Sequence, residues 1–146
     1  MDRILALDVG KKRIGLAVTD PLGLTAQGLP TLERNRIRED LKRLKELVQE
    51  LGVSTLLVGQ PLHMSGSESR QSQYTMEFAE RLGQFVERPI IYWDERLTSA
   101  EAERVLRSMG ATLDQRKKAV DQLSAVLLLE SYLENRRITN ASGGGM

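Results

Sequence analysis

Two short apolar runs near the start of the chain, Arg3–Leu7 and Ile14–Thr19, are separated only by Asp8-Val9-Gly10 and the basic triplet Lys11-Lys12-Arg13. Runs of that length, broken by a glycine and three cations, predict two strands joined as a hairpin. A third extended segment is predicted within Thr25–Leu32. The pattern then changes period. Ile37, Leu41, Leu44, Val48 and Leu51 fall at helical spacing with charges between them, and Gly52 closes that helix. Thr55–Val58 reads as a short strand stopped by Gly59-Gln60-Pro61, Ser65–Ser72 as a polar loop, and Tyr74, Phe78, Leu82 and Phe85 as the apolar line of a second helix. Pro89–Trp93 is a further strand ending in Asp94-Glu95-Arg96. Two capping boxes, Thr98 with Glu101 and Thr112 with Gln115, start two more helices; Gly110 stops the first and the second runs to about Glu134. A three-strand meander followed by strand–helix units predicts a mixed sheet with helices on its faces, an α/β fold.

A chain of 146 residues is expected to form one domain, and its small, glycine-rich end, Asn140–Met146, a flexible tail. The chain has no cysteine, which excludes disulfide scaffolds, thiolate metal sites and cysteine nucleophiles. Its single histidine, His63, leaves little for a histidine-rich metal site or a Ser-His-Asp triad. A formal net charge of +1 argues against an indiscriminate cationic clamp on nucleic acid. No apolar run approaches membrane-spanning length and Met1-Asp2-Arg3 leads into no signal-like segment, so a cytoplasmic location away from membranes is expected.

The chemistry available is therefore that of oxygen ligands, and three acids stand where apolar neighbours are expected. Asp8 continues the alternation Ile4, Ala6, Asp8 on one sheet face. Glu95 follows Ile91 and Trp93 in the same way, while Asp94 points to the other face or caps the turn towards Thr98. Asp121 heads the helical line Asp121, Ala125, Leu128, Tyr132 and must be paired or bound to a metal; an internal salt bridge to Lys117 or Lys118 is the plainer reading. Taken together, acids at strand ends with one on a helix crossing them suit Mg²⁺ or Mn²⁺, two of which promote in-line displacement at phosphorus. Basic residues adjoin each acid: Lys11, Lys12 and Arg13 beside Asp8, Arg96 beside Glu95, and Arg116, Lys117 and Lys118 before Asp121. Those are expected to meet phosphate, whereas Arg34–Arg38 and Arg136-Arg137 read as solvated surface. Gly10 allows the turn after Asp8, Gly15 leaves room for a backbone to approach the second strand, and Gly59–Gly66 is either a substrate-facing loop or a plain connection.

Asp8-Val9-Gly10-Lys11-Lys12-Arg13-Ile14-Gly15-Leu16-Ala17-Val18, then Gly59, Pro61, Leu62 and Gly66, then Asp94-Glu95-Arg96-Leu97-Thr98-Ser99, then Asp121-Gln122, closely resemble the YqgF/RuvX family in order and spacing, from Met1 to about Leu133. The chain reads His63-Met64-Ser65 where many members have Asn-Met-Asp, and Ser124 where alanine is common. The resemblance implies an RNase H-like fold: five strands in the order 3-2-1-4-5, with the second antiparallel, in a nuclease domain over residues 1–138 followed by a tail over 139–146. It implies a metal-binding and catalytic triad of Asp8, Glu95 and Asp121 with two Mg²⁺ or Mn²⁺ ions. It makes Lys12, Arg13, Arg96 and Thr98 candidate nucleic-acid contacts, and the basic runs beside the acids add Lys11, Lys117 and Lys118. The activity implied is hydrolysis of phosphodiester bonds at the 5′ end of precursor 16S rRNA, in contact with ribosomal particles, by a monomer or weak homodimer. Resolution of Holliday junctions is the alternative. Two further readings stand beside it: a non-catalytic ribosome-assembly module, and a relative of the actin-like ATPases, which share a phosphate-cradling hairpin.

Overall fold

A computed structural model describes residues 2–60, 70–94 and 113–143. Strands β1 (Arg3–Val9), β2 (Arg13–Thr19), β3 (Ala26–Glu33), β4 (Val53–Gln60) and β5 (Ile90–Asp94) form one sheet in the order β3-β2-β1-β4-β5. β2 runs antiparallel to both β1 and β3, while β1, β4 and β5 are parallel. The expected α/β, RNase H-like arrangement is the observed one. Helices α1 (Ile37–Leu51) and α2 (Arg70–Val86) cover one face and α3 (Leu113–Gly143) the other.

The two faces are built differently because alternate residues of each strand serve different helices. Leu5, Leu7, Val9, Leu16, Val18, Leu56 and Val58 point towards Leu44 and Val48 of α1 and Phe78 and Leu82 of α2, forming the larger core. Ile4, Ala6, Ala17 and Leu57 meet Ala125, Leu128, Leu129 and Leu133 of α3. Small residues on that second face let α3 approach closely. A Cβ on Gly15 would lie 1.8 Å from the Asp121 carbonyl oxygen, and one on Gly28 would lie 3.0 Å from the Gln122 side chain.

Several boundaries differ from those read in the sequence. β4 continues through Gly59 and Gln60, which pair with Trp93 and Asp94, because β5 supplies partners for their backbone groups. α2 starts at Arg70, inside the stretch expected to be loop. It buries Val86 rather than Phe85, which is 42% exposed beneath the Lys45 ammonium. α3 is helical through Gly143, past Glu134 and into the segment expected to be a tail, since residues 135–142 hold neither Gly nor Pro. The helix expected between Thr98 and Gly110 lies outside the described residues.

Candidate active site

Asp8 lies near the C-terminal end of β1, the central strand, after four buried residues, and is itself partly exposed. Its neighbour across the hairpin is Gly15. Residues opposite one another on adjacent strands share a face, so Asp8 lies on the side where Gly15 receives the Asp121 main chain. The space left by Gly15 is thus filled by the protein's own backbone. The contact brings a residue of β1 and a residue of α3 together across a single glycine.

Arg13, two residues before Gly15 on that same face, donates Nε–H to Asp121 Oδ2 at 2.8 Å. The pair is only partly withdrawn from water, with side chains 30% and 24% exposed. Asp121 is therefore paired, as its apolar stripe requires, by a strand residue; the side chains of Lys117 and Lys118 lie outside the described residues. Nothing in local spacing points to this partner, which is 108 residues away in sequence. The hint was Arg13's place on the strand face of Gly15. Below Asp121 the stripe continues as expected, with Ala125 and Leu128 fully buried and Tyr132 edge-on to Trp93 at 5.3 Å.

The turn leading from Asp8 to Arg13 is closed by Gly10 N–H donating to the Arg13 carbonyl at 2.9 Å. A Cβ on Gly10 would stand 2.7 Å from that oxygen, so the closure needs glycine. Lys11 and Lys12 stand exposed on this turn, beside Asp8. Lys117 and Lys118 belong to α3, one turn before Asp121. β5 lies two strand spacings, about 10 Å, from β1, with β4 between them. Glu95, Arg96, Thr98 and the Pro61–Gly66 part of the loop lie outside the described residues.

Asp8 and Asp121 are carboxylates, hard oxygen donors of the kind Mg²⁺ and Mn²⁺ take. Among the described residues no group of three or more His, Cys, Asp or Glu gathers to hold a metal. These two acids, set on either side of Gly15, suit such an ion as part of a donor set, with Arg13 balancing the charge of Asp121.

The family model RuvX, described as Holliday junction resolvase, matches residues 2–135. A protein of Koribacter versatilis named "Putative pre-16S rRNA nuclease" is 49% identical over 136 residues, 93% of this chain and 89% of that one. One of the same name from Syntrophomonas wolfei is 43% identical, covering 90% of this chain and 94% of the relative. Among solved structures, RuvC of Thermus thermophilus in complex with a Holliday junction aligns with a TM-score of 0.61 at 13% identity, over 92% of this chain and 96% of that one. The fowlpox virus resolvase bound to Holliday junction DNA aligns at 0.56 and 14% identity, over 91% and 97%. These two share the fold.

Proposed function

Because the chain belongs to the RuvX family, we propose that it is a divalent-metal-dependent nuclease of the cytoplasm that hydrolyses phosphodiester bonds at the 5′ end of precursor 16S rRNA. The observation that carries this reading is that Gly15, the strand partner of Asp8, receives the Asp121 main chain, beside a turn that exposes Lys11 and Lys12. Asp8, Asp121 and Glu95 would hold Mg²⁺ or Mn²⁺, and two such ions would supply activation of water and stabilisation of the leaving oxygen. Asp8 occupies the central strand and so fixes the position against which the others are set. Arg13 orients Asp121. Lys11 and Lys12 draw in phosphate from the hairpin side, with Lys117 and Lys118 on α3 and Arg96 and Thr98 after β5 as the remaining contacts. No side chain need act as a base in this scheme, in keeping with a chain that has a single histidine.

Replacing Asp8 with Asn keeps the size and hydrogen-bonding capacity of the side chain and removes its charge. The variant should unfold at the wild-type temperature and cleave precursor rRNA at least 100-fold more slowly in Mg²⁺ or Mn²⁺, of the order expected when charge stabilisation at the reacting phosphate is lost. Cleavage at the wild-type rate would exclude the assignment. A second substrate has support of its own, since the family model is described as a junction resolvase and the two structural neighbours hold or cut such junctions. Presenting precursor rRNA and a four-way DNA junction at equal concentration decides between them: preferential cleavage of the RNA is expected.

A further inference from the structure

Arg34 follows β3 and heads a run of charged residues, yet its side chain is 9% exposed and its partner Asp40 is fully buried. Both Nε and Nη1 of its guanidinium are engaged with specific partners. Nε–H donates to Asp40 Oδ2 at 2.9 Å, and Nη1–H donates both to the Gly10 carbonyl at 3.0 Å and to the Tyr74 hydroxyl. Its guanidinium lies 4.6 Å from the centre of the Phe78 ring and 5.6 Å from that of Tyr74. Its own amide donates to the Lys12 carbonyl at 2.9 Å. The residue therefore grips the turn after Asp8 at two carbonyls, Gly10 and Lys12, and ties it to α1 through Asp40 and to α2 through Tyr74 and Phe78. Asp40 is fixed in return, its Oδ1 accepting the Asn35 amide at 3.0 Å.

A buried ion pair is a weak source of stability, because removing two charges from water offsets much of their attraction. Its more secure consequence here is geometric: a planar, five-donor group holds the Gly10 carbonyl, the Tyr74 hydroxyl and the Asp40 carboxylate in one fixed arrangement, next to the backbone amide that holds the Lys12 carbonyl. The held turn carries Lys11, Lys12 and Arg13. We propose that Arg34, with Asp40, is a positioning residue that holds the Gly10–Arg13 turn ready for a nucleic-acid phosphate, so that substrate binding does not have to order it. The proposal rests on the nuclease reading above and extends it to two residues on the opposite face of the sheet from Asp121.

Removing Arg34 alone leaves a buried, unpaired carboxylate and risks unfolding the chain, so the test replaces both partners, Arg34→Met with Asp40→Leu. Apolar residues of similar size commonly maintain stability at such a pair. The double variant should keep the wild-type unfolding temperature to within a few degrees and bind Mn²⁺ with unchanged affinity in calorimetry. Its Gly10 amide should exchange with solvent at least tenfold faster. Its KM for precursor rRNA should rise at least fivefold while kcat stays within a factor of two. A stably folded double variant with wild-type KM would overturn the proposal, as would a loss carried by kcat alone. Absence of cleavage by the wild-type protein would instead overturn the nuclease reading and leave the exchange measurement standing. A merely structural role would lower the unfolding temperature without separating KM from kcat.

Discussion

A methyl group at Gly15 would overlap the carbonyl oxygen of Asp121, so even alanine forces α3 away from β2. Gly15→Ala is expected to cost about 3 kcal/mol in denaturant unfolding, as overpacking at a rigid backbone contact does. Surviving folded protein should cleave poorly, because Asp121 moves with the helix. Arg13 presents a different case. On the proposed assignment it and a divalent cation would seek the same carboxylate, so Arg13→Gln should tighten Mn²⁺ binding roughly tenfold, the equivalent of about 1.4 kcal/mol of repulsion removed; calorimetry without nucleic acid measures it. Asp8 and Asp121 were legible in the sequence because each interrupts an apolar pattern at the period of its element. Arg34 was not. Its neighbours Asn35, Arg36 and Arg38 are polar, and its burial arises only where the hairpin turn, α1 and α2 meet.

At the scale of elements, the ends are where sequence and structure part. α1 closes on Gly52 with φ 66°, as its spacing predicts, and Gly52→Ala should destabilise by about 1 kcal/mol although space is available. α2 ends with the same geometry but without a glycine. Glu87 takes φ 56° while the Arg88 amide reaches back to the Gly83 carbonyl at 3.2 Å. Glu87→Gly is expected to stabilise the chain by about 0.5 kcal/mol or more, read as a rise in unfolding temperature. The apolar line of α2 advances by four residues at each step, 74, 78, 82 and 86, so Val86 turns inward and Phe85 outward. Sequence spacing admitted either residue; only the helix's position on the sheet decides. In the β2–β3 loop, Asp20 accepts the amides of Leu22, Leu24 and Thr25. The Thr25 amide first, then those of Leu24 and Leu22, hold its carboxyl below the ordinary value of 3.8. Since the folded value is the lower one, this anchoring of the loop is complete above 3.8 and fades as pH falls below it. NMR titration of the Leu24 and Thr25 amides should show their shifts moving only in that acid range.

For the whole molecule, a hairpin followed by strand–helix units made the mixed sheet legible, whereas its strand order followed from the family resemblance; β1 becomes central once β4 joins its free edge in parallel. The pairing of Arg13 with Asp121 was not, since it depends on how closely α3 settles on Gly15. The net charge of +1, read alone, counted against a nucleic-acid partner. Distributed over the fold, it is a sum of opposed parts, with exposed Lys11 and Lys12 set beside the acids. Binding should accordingly be modest and fall with salt. Replacing both lysines with alanine should reduce the slope of log affinity against log salt by about 2, roughly one for each phosphate that a lysine no longer neutralises.

The 108-residue separation of Arg13 and Asp121 also sets a timetable. A ribosome delivers the hairpin with Asp8 early and the helix with Asp121 late, and chains begin folding from the N-terminus as they emerge. Throughout most of its synthesis the polypeptide thus carries Asp8 without Asp121. On the proposed assignment, cleavage of RNA would begin only when the last helix docks.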